Sequence, residues 1–528
     1  MSDASVDNRG SSGSSRHILY VAIVLLAALG VFAMQAVDLI NFAVDDTFIV
    51  LRIVNNVLHG HGFVYNIGEN IEGYSDWLWV VLLLGPIAIG QNISQDPWTP
   101  MWIEKGMSLL FGLGTVVLLY FLVRNLFRGQ ANRNLVAAFA ALGLAACTPF
   151  VTWSLGGLEA TFCAFLFTVV LIIVEKVEWS RTQDNRKRLF ACLNMGVVLG
   201  FLVLTRPEAA LYVVLLYLSL VILLRWRLSQ LCAILLPLVL IVSTFLAWRW
   251  FTYHSFVPNT YYAKTGTING GVVLSTKYTL GSISAILGPL LLFFPLGFFA
   301  VRRDVRFLIA GGSLLLSALI FSMLVGGDWM PGSRFFIPVA PILVLISIRG
   351  AVAVYDAFVQ RARIRKLVEF LLVCACITIA FANAFSQRSL VRGQLTTLAS
   401  GFVTQPGHAL PEHQAVAEWF HARHPQPFTL ATGEAGLIGY INPQMTLIDC
   451  YGLMDTTISH RLHKNLQLDP EYLLSRKPDF VLLDGLGGNR IHERHTAAYS
   501  DLIFADTNFS RDYVLDTLFP RFTLYRRR

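Results

Sequence analysis

The sequence predicts a polytopic α-helical membrane protein of about eleven transmembrane helices, with an extracytoplasmic α/β domain at its C-terminal end. Three observations predict it. Of the 528 residues, 55% are hydrophobic and 14% charged, against about 25% charged in soluble domains, and the mean hydropathy is +0.59. Apolar runs of roughly 20 residues, the length that crosses a hydrocarbon core as a helix, recur from the N-terminus onward. From residue 390 the composition changes: His, Pro, Asp and Arg rise and the apolar runs shorten.

The runs fall at 17–39, 77–93, 106–123, 134–152, 159–175, 189–204, 208–224, 229–252, 280–300, 307–325, 336–357 and 367–386. Residues 1–16 are polar and Ser/Gly-rich, which predicts a disordered cytoplasmic tail. The run that follows carries no small-residue cleavage site and reads as a retained first helix. Basic clusters separate the runs: Arg124, Arg128 and Arg133; Lys176, Arg181, Arg186, Lys187 and Arg188; Arg225 and Arg227; Arg302, Arg303 and Arg306; Arg361, Arg363, Arg365 and Lys366. An even number of crossings lies between successive clusters. All of them therefore fit on the cytoplasmic side together, as the positive-inside rule requires. The loops beginning at Gln91, Gly156, Thr205, Thr252 and Val325 then face outward, as do residues 390–528. Parity leaves the run 77–93, with Gly85-Pro86 in its middle, as a re-entrant or tilted segment; otherwise one crossing is miscounted or the N-terminus lies on the other side.

Residues 17–389 thus form the membrane domain, with a first outer loop at 40–76, and residues 390–528 a soluble domain. In the latter, FTLATGEAGLIGYI, MTLIDC and DFVLLD read as short buried strands alternating with helices such as 411–424. The net charge of +8 does not indicate nucleic acid, because the basic residues sit between apolar runs. The cysteines read as small packing residues; Cys374 and Cys376 are one residue too close for a CxxC motif, and no zinc spacing occurs.

The outward loops hold the unusual polar residues: Asp45 and Asp46 beyond the first helix, Glu72 and Tyr74 in EGYSDWLW, Glu159 in SLGGLEA, and Arg206 and Glu208 in LTRPEA. Asn259, Tyr262 and Lys264 follow in PNTYYAK, then Asp328 and Arg334 in GGDWMPGSRFF. Each acid alone reads equally well as an interfacial ion pair. Ionisable groups near membrane depth cost about 2.5–3.5 kcal/mol each on insertion scales, so their concentration on one face indicates a functional cavity. A sugar attached through phosphate departs without a general acid, because the leaving group needs charge stabilisation instead. One carboxylate then suffices as base toward an acceptor hydroxyl, and guanidinium groups suit the phosphate. Hydrolysis of a glycoside, by contrast, needs two carboxyl groups. Arg206 and Arg334 are the expected phosphate binders, with Lys264 third. Glu72, Tyr74, Glu159, Glu208, Asn259, Tyr262 and Asp328 are the expected substrate-binding set. The adjacent acids are capable of holding a divalent cation, but the leaving-group argument needs none, so neither metal nor other cofactor is expected. His59 and His61 read as hydrogen-bonding loop residues, Trp77, Trp79 and Trp329 as an interfacial belt before a sugar-stacking set, and Glu434 and Asp449 as turn caps before acceptor contacts.

The ordered set DDTFIVLR, HGHGFVYNIGENIEGYSDWLW, SLGGLEA, TRPEA, PNTYYAK and GGDWMPGSRFF, continued by EAGLIGYI and LIDCYGLMD, resembles the GT-C membrane glycosyltransferases. Within them it is most similar to the terminal β-(1→2) arabinofuranosyltransferases of mycobacteria and corynebacteria. The resemblance runs from about Asp45 to the C-terminus. It implies an inverting transfer of a sugar, arabinofuranose in those enzymes, from a polyprenyl-phosphate donor to a glycan or glycoprotein acceptor on the outer face of a bacterial cytoplasmic membrane. It also implies that the acid pair of the first loop is catalytic, with Asp45 as base and Asp46 orienting substrate or supporting the fold. The chain lacks a strongly Ala-rich composition, which leaves a pilin or a surface polysaccharide open as acceptor. Two other readings compete: a flippase for a lipid-linked sugar, which predicts acids in broken mid-membrane helices and internal repeats, and a non-catalytic scaffold, which leaves Asp45, Asp46 and Arg206 unexplained.

Overall fold

Every apolar run of the sequence is helical. The structure, a computed structural model, describes residues 9–179, 184–265, 271–299, 305–328, 330, 332–358, 365–397, 411–464, 466–484 and 497–528. Arg181, Arg302, Arg303, Arg361, Arg363 and Trp329 lie outside the described residues. The membrane region begins with α1 (Arg9–Leu39), whose helix already covers part of the expected disordered tail, of which residues 1–8 lie outside the described residues. It continues with α2 (Asp45–Leu58), α3 (Trp77–Ile93), α4 (Thr99–Leu126), α5 (Arg133–Ala145), α6 (Thr148–Ser154), α7 (Ala160–Trp179), α8 (Asn185–Thr205), α9 (Ala209–Leu218) and α10 (Leu228–Tyr253). After these come α11 (Asn259–Thr265), α12 (Gly271–Leu287), α13 (Phe294–Phe299), α14 (Val305–Val325), α15 (Ala340–Phe358) and α16 (Arg365–Thr397).

Among the described residues, nine helical segments are long and apolar enough to cross a membrane, or ten when α5 and α6 are taken as one bent span. The expectation of about eleven differs for local reasons. The run 134–152 breaks between Ala145 and Thr148 and bends by 69°, because Pro149 in the first turn of α6 offers no N–H and disfavours helix just before it. The run 208–224 ends in a π-turn at Ser219–Leu223 and is short of a full span. The run 77–93, with Pro86 inside it, is likewise a short apolar helix. Conversely, α4 starts at Thr99, not 106, and draws Glu104 and Lys105 into the bundle. Trp79 Nε1 donates to Glu104 Oε1 (3.3 Å) and Lys105 Nζ donates to the Phe42 carbonyl. Two charges read as loop are thereby buried in a span.

The C-terminal domain comprises α17 (Pro411–Arg423), β1 (Phe428–Thr432), α18 (Leu437–Ile441), β2 (Met445–Asp449), α19 (Thr456–His463), α20 (Pro470–Ser475), β3 (Phe480–Asp484), α21 (Ala497–Phe504), α22 (Thr507–Asp512), β4 (Tyr513–Leu518) and β5 (Phe522–Arg527). The sheet order is β2-β1-β3-β5-β4. The first three strands are parallel, and β5 and β4 add antiparallel neighbours. Strand alternation sends Leu430, Leu447, Leu482 and Leu524 into a core continuous with the membrane region. Ala431, Ile448, Val481 and Leu483 face a separate cluster with Ile458 and Tyr499.

The domain docks on α2 and the loop after it. Arg52, 2% exposed, donates from Nη1 to the Gly439 carbonyl (2.5 Å), from Nη2 to the Met445 carbonyl (2.6 Å) and from Nε to the Tyr65 carbonyl (3.0 Å). Asn66 pairs in both directions with the backbone of Leu447 (2.8 and 2.9 Å). Asn259 Nδ2 donates to the carbonyls of Gly452 and Leu453 (2.8 and 2.9 Å) and its Oδ1 accepts from Ser459 Oγ (2.6 Å). The first loop and the C-terminal domain therefore share one side of the bundle.

Candidate active site

The first turn of α2 carries both acids of the DD pair, a favourable place for carboxylates at the positive end of a helix. Consecutive residues of a helix point about 100° apart, so the two acids face different surroundings. Asp45, Phe48 and Arg52 meet the C-terminal domain. Asp45 accepts from the amides of Gly436 (Oδ2, 2.7 Å) and Leu437 (Oδ1, 2.9 Å). Burial raises its pKa, with His413 opposing the rise and Glu434 adding to it.

Asp46 is half-buried, and its charge acts on Asp76, the residue at the N-cap position of α3. Asp76 is 6% exposed. Burial first, and then the neighbouring Glu159, push its carboxyl up to about 8, so it stays protonated at neutral pH. Glu159 lies just beyond the Gly156-Gly157 turn. That turn is pinned by Thr47 Oγ1 donating to the Gly156 carbonyl (3.0 Å) and Trp79 Nε1 donating to the Gly157 carbonyl (3.1 Å). Gly157 has φ +82°, a conformation that suits glycine.

Arg206 closes this group. Pro207 holds it extended at the end of α8, which turns its side chain out of the helix. Its Nη1 donates to Glu159 Oε1 (2.8 Å) and its Nε to Glu208 Oε1. Burial works against its charge, but Glu208 and Glu159 outweigh that and raise its pKa. Beside it is a small apolar pocket lined by Phe167, Leu202, Tyr212, Phe335 and Pro338, bordered by Arg206 and Glu208. Arg334 pairs through two nitrogens with Asp328 (2.9 and 3.1 Å). Its guanidinium and that of Arg206 approach the same Phe335 ring, at 5.3 and 5.9 Å.

The tertiary structure therefore gathers Asp46, Glu159, Arg206 and Glu208, with Arg334 and Asp328 across Phe335. Other expected site residues are engaged elsewhere. Glu72 forms a buried two-point pair with Arg249 (2.7 and 2.9 Å), and burial, moderated by Arg249, pushes its carboxyl to about 6. Tyr74 is buried with its hydroxyl 3.4 Å from that of Tyr253. Asn259 ties α11 to the C-terminal domain, and Tyr262 stacks on His460 at 4.4 Å. Lys264 is exposed at the last turn of α11. Asp449 caps its turn by accepting from the amides of Tyr451 and Met454 (2.8 and 3.0 Å), as expected.

Sequence reasoning missed Asp76, Arg52, Arg249 and His413. Asp76 carries the same signal as the DD pair, an acid directly before an apolar helix, inside a motif already singled out. Asp45, His413 and Glu434 bring ligand atoms within 4.8 Å of one another and could hold a cation. Their competing partners are protein groups: Glu434 pairs with His413 (2.7 Å) and Arg521 (3.3 Å).

The chain is distantly homologous to proteins described as terminal β-(1→2)-arabinofuranosyltransferase. It is 25% identical over 379 residues to that of Corynebacterium glutamicum, covering 65% of this chain and 52% of the relative. With that of Mycobacterium tuberculosis it is 30% identical over 172 residues, covering 32% and 26%. The chain thus spans about half the length of the first relative and about a quarter of the second. A family model for a domain of unknown function (DUF8728) matches residues 404–526. The fold is that of ArnT from Cupriavidus metallidurans, whose structure bound to undecaprenyl phosphate aligns at TM-score 0.61 and 12% identity over 96% of this chain and 97% of that one. The Archaeoglobus fulgidus oligosaccharyltransferase aligns at 0.55 and 12% identity over 88% and 68%.

Proposed function

We propose that this chain is an inverting GT-C glycosyltransferase that moves a sugar, arabinofuranose first among the candidates, from a polyprenyl-phosphate donor to a glycan or glycoprotein acceptor. The reaction takes place on the periplasmic face of a bacterial cytoplasmic membrane, where the first loop and the C-terminal domain meet. The observation that carries the reading is the acid–arginine group of Asp76, Glu159, Arg206 and Glu208, with the charge of Asp46 acting on Asp76 and with Arg206 and Glu208 bordering a small apolar pocket. A phosphate suits Arg206, and apolar side chains lie next to it. The names of the distant relatives and the ArnT-like fold support the same donor class.

The base in this proposal is Asp46, not the Asp45 that the sequence alone favours, because both Asp45 oxygens are committed to backbone amides. Asp46 takes no hydrogen bond or ion pair among the described residues. Burial and the neighbouring Glu159 keep the proton on Asp76. Asp46 accepts the proton of the acceptor hydroxyl. The hydroxyl oxygen attacks the anomeric carbon as the bond to the phosphate oxygen breaks, with inversion, and the phosphate leaves with its electron pair. The Nη2 of Arg206, which has no partner among the described residues, receives that charge. Glu208 yields to the phosphate more readily than Glu159, because it is the more exposed of the two partners (19% against 8%).

The test is transfer by purified full-length protein in nanodiscs, offered decaprenyl-phosphoryl arabinofuranose or a polyprenyl-phosphate hexose with glycan acceptors. Wild type transfers from one donor, and Asp46→Asn lowers turnover by about 10²–10⁴-fold while still binding donor. Full turnover by Asp46→Asn, or no transfer from either donor by folded wild type, refutes the proposal.

A further inference from the structure

We infer that the C-terminal domain is a working part of the transfer site: its Glu434–Leu437 turn, backed by His413, clasps Asp45, and Asp45 is a positioning residue for Asp46. The inference rests on the reading of Asp46 as base.

The clasp is built for one carboxylate. Both oxygens of Asp45 are taken, one by the amide of Gly436 at 2.7 Å and the other by that of Leu437 at 2.9 Å. Position 436 admits only glycine, since a Cβ there would overlap the carbonyl oxygen and the carboxyl carbon of Asp45. The turn is anchored on both sides of the clasp. Thr432 Oγ1 accepts from the Glu434 amide (3.2 Å), Tyr65 Oη donates to the Ala435 carbonyl, and Arg52 Nη1 donates to the Gly439 carbonyl (2.5 Å). Two of these anchors belong to α2 and its loop, so turn and helix are fastened at several points.

The charges behind the clasp hold it together. His413, 1% exposed, has a ring nitrogen within 4.8 Å of carboxylate oxygens of both Asp45 and Glu434 and bonds Glu434 at 2.7 Å. Glu434 and Asp484 share Arg521, at 3.3 and 2.9 Å. A carboxylate whose two oxygens each accept a backbone amide is held where it stands, which removes the reason for it to reach substrate. Asp46 is the next residue in the same helical turn. Any displacement of Asp45 is transmitted to it through rigid backbone, about 100° round the helix, toward Asp76, Glu159 and Arg206. A misplacement of about 1 Å in a reacting group costs on the order of 10²-fold in rate.

The experiment uses full-length protein in nanodiscs with the donor that wild type accepts. Asp45→Asn, which is isosteric and keeps one acceptor, and Gly436→Ala are each expected to lower kcat by about 10–100-fold with donor KM within about twofold. Asp45→Ala, with no acceptor left, falls further, while Asp46→Asn is near background. Rescue in the order Asp, Asn, Ala at position 45 with KM unmoved is a signature that a merely structural loss would not give. Should Gly436→Ala fail to fold, the Asp45 series carries the test. Wild-type kcat in Asp45→Asn and Asp45→Ala would overturn the clasp and leave Asp46 as base intact. An Asp45→Asn as inactive as Asp46→Asn would make Asp45 catalytic and overturn it as well. A stoichiometric divalent cation in purified protein, lost in His413→Gln, would replace the clasp by a metal site. Full activity in Asp46→Asn would instead fail the underlying reading.

Discussion

Replacing Arg52 with methionine should loosen the junction between the C-terminal domain and the first loop while leaving each part folded. The guanidinium is buried, yet its described partners are four carbonyls, those of Tyr65, Gly439, Asn442 and Met445, and the Tyr65 ring 4.2 Å away. The bonds to Gly439 and Met445, at 2.5 and 2.6 Å, cross between the two parts of the chain. Hydrogen bonds from a charged donor contribute about 1.5–3 kcal/mol each, so these two together hold the junction by about 3–6 kcal/mol. At about 1.4 kcal/mol per factor of ten, that is a change of about 10²–10⁴ in the junction's opening equilibrium. Hydrogen–deuterium exchange of residues 428–449 in the full-length protein reads this directly, since local opening sets protection. Protection in Arg52→Met should fall by that factor, and transfer should fall with it. Arg52→Lys, one compact donor in place of a planar fork, should lose about half of the free energy. Protection within threefold of wild type in Arg52→Met would refute the assignment of the junction to this residue.

Asp76 provides a pH test. Its carboxyl titrates near 3.8 when unfolded and at about 8 in the folded chain, so between these values the folded state binds the extra proton. Stability from this group therefore falls as pH rises from about 4 to about 8, by at most on the order of 5 kcal/mol at about 1.4 kcal/mol per pH unit. Asp76→Asn should flatten that slope, raising apparent thermal stability at pH 8 more than at pH 5; equal changes at both would exclude a protonated Asp76. Glu72 and Arg249 are a buried pair, so each single substitution to methionine should cost about 3–5 kcal/mol and the double substitution much less. Additive losses in apparent melting temperature would count against that. Arg206→Gln should lower transfer by about 10²-fold or more, with Arg206→Lys intermediate. Unchanged kcat/KM for donor in Arg206→Gln would remove it from the phosphate site.

The helices were legible because burying backbone in lipid demands long apolar runs, and such runs are local features of sequence. Boundaries were less so: Glu104 and Lys105 read as loop because charge interrupts an apolar run, while Trp79 and the Phe42 carbonyl, distant in sequence, provide their partners. The α/β character of residues 428–484 was likewise visible in short buried strands, but the antiparallel addition of β5 and β4 was not, because pairing is non-local. The loop acids were recognisable as a set. What each does was not. Glu72, Asn259 and Asp328 read as substrate ligands until Arg249, the C-terminal domain and Arg334 were seen to hold them.

The DD pair draws the line between the two kinds of information. That the chain crosses a membrane repeatedly, carries its acids and arginines in loops and ends in an α/β domain follows from composition and order alone, since burial in lipid acts on every residue where it stands. Even the divergence of Asp45 from Asp46 was implicit in the 3.6-residue turn of a helix. Which of the two is tied up was decided only in three dimensions, by two amides nearly 400 residues away that close on Asp45, while the charge of Asp46 acts on Asp76. A carboxylate's chemistry depends on what donates to it and how much water reaches it, and for this pair those neighbours come from the far end of the chain.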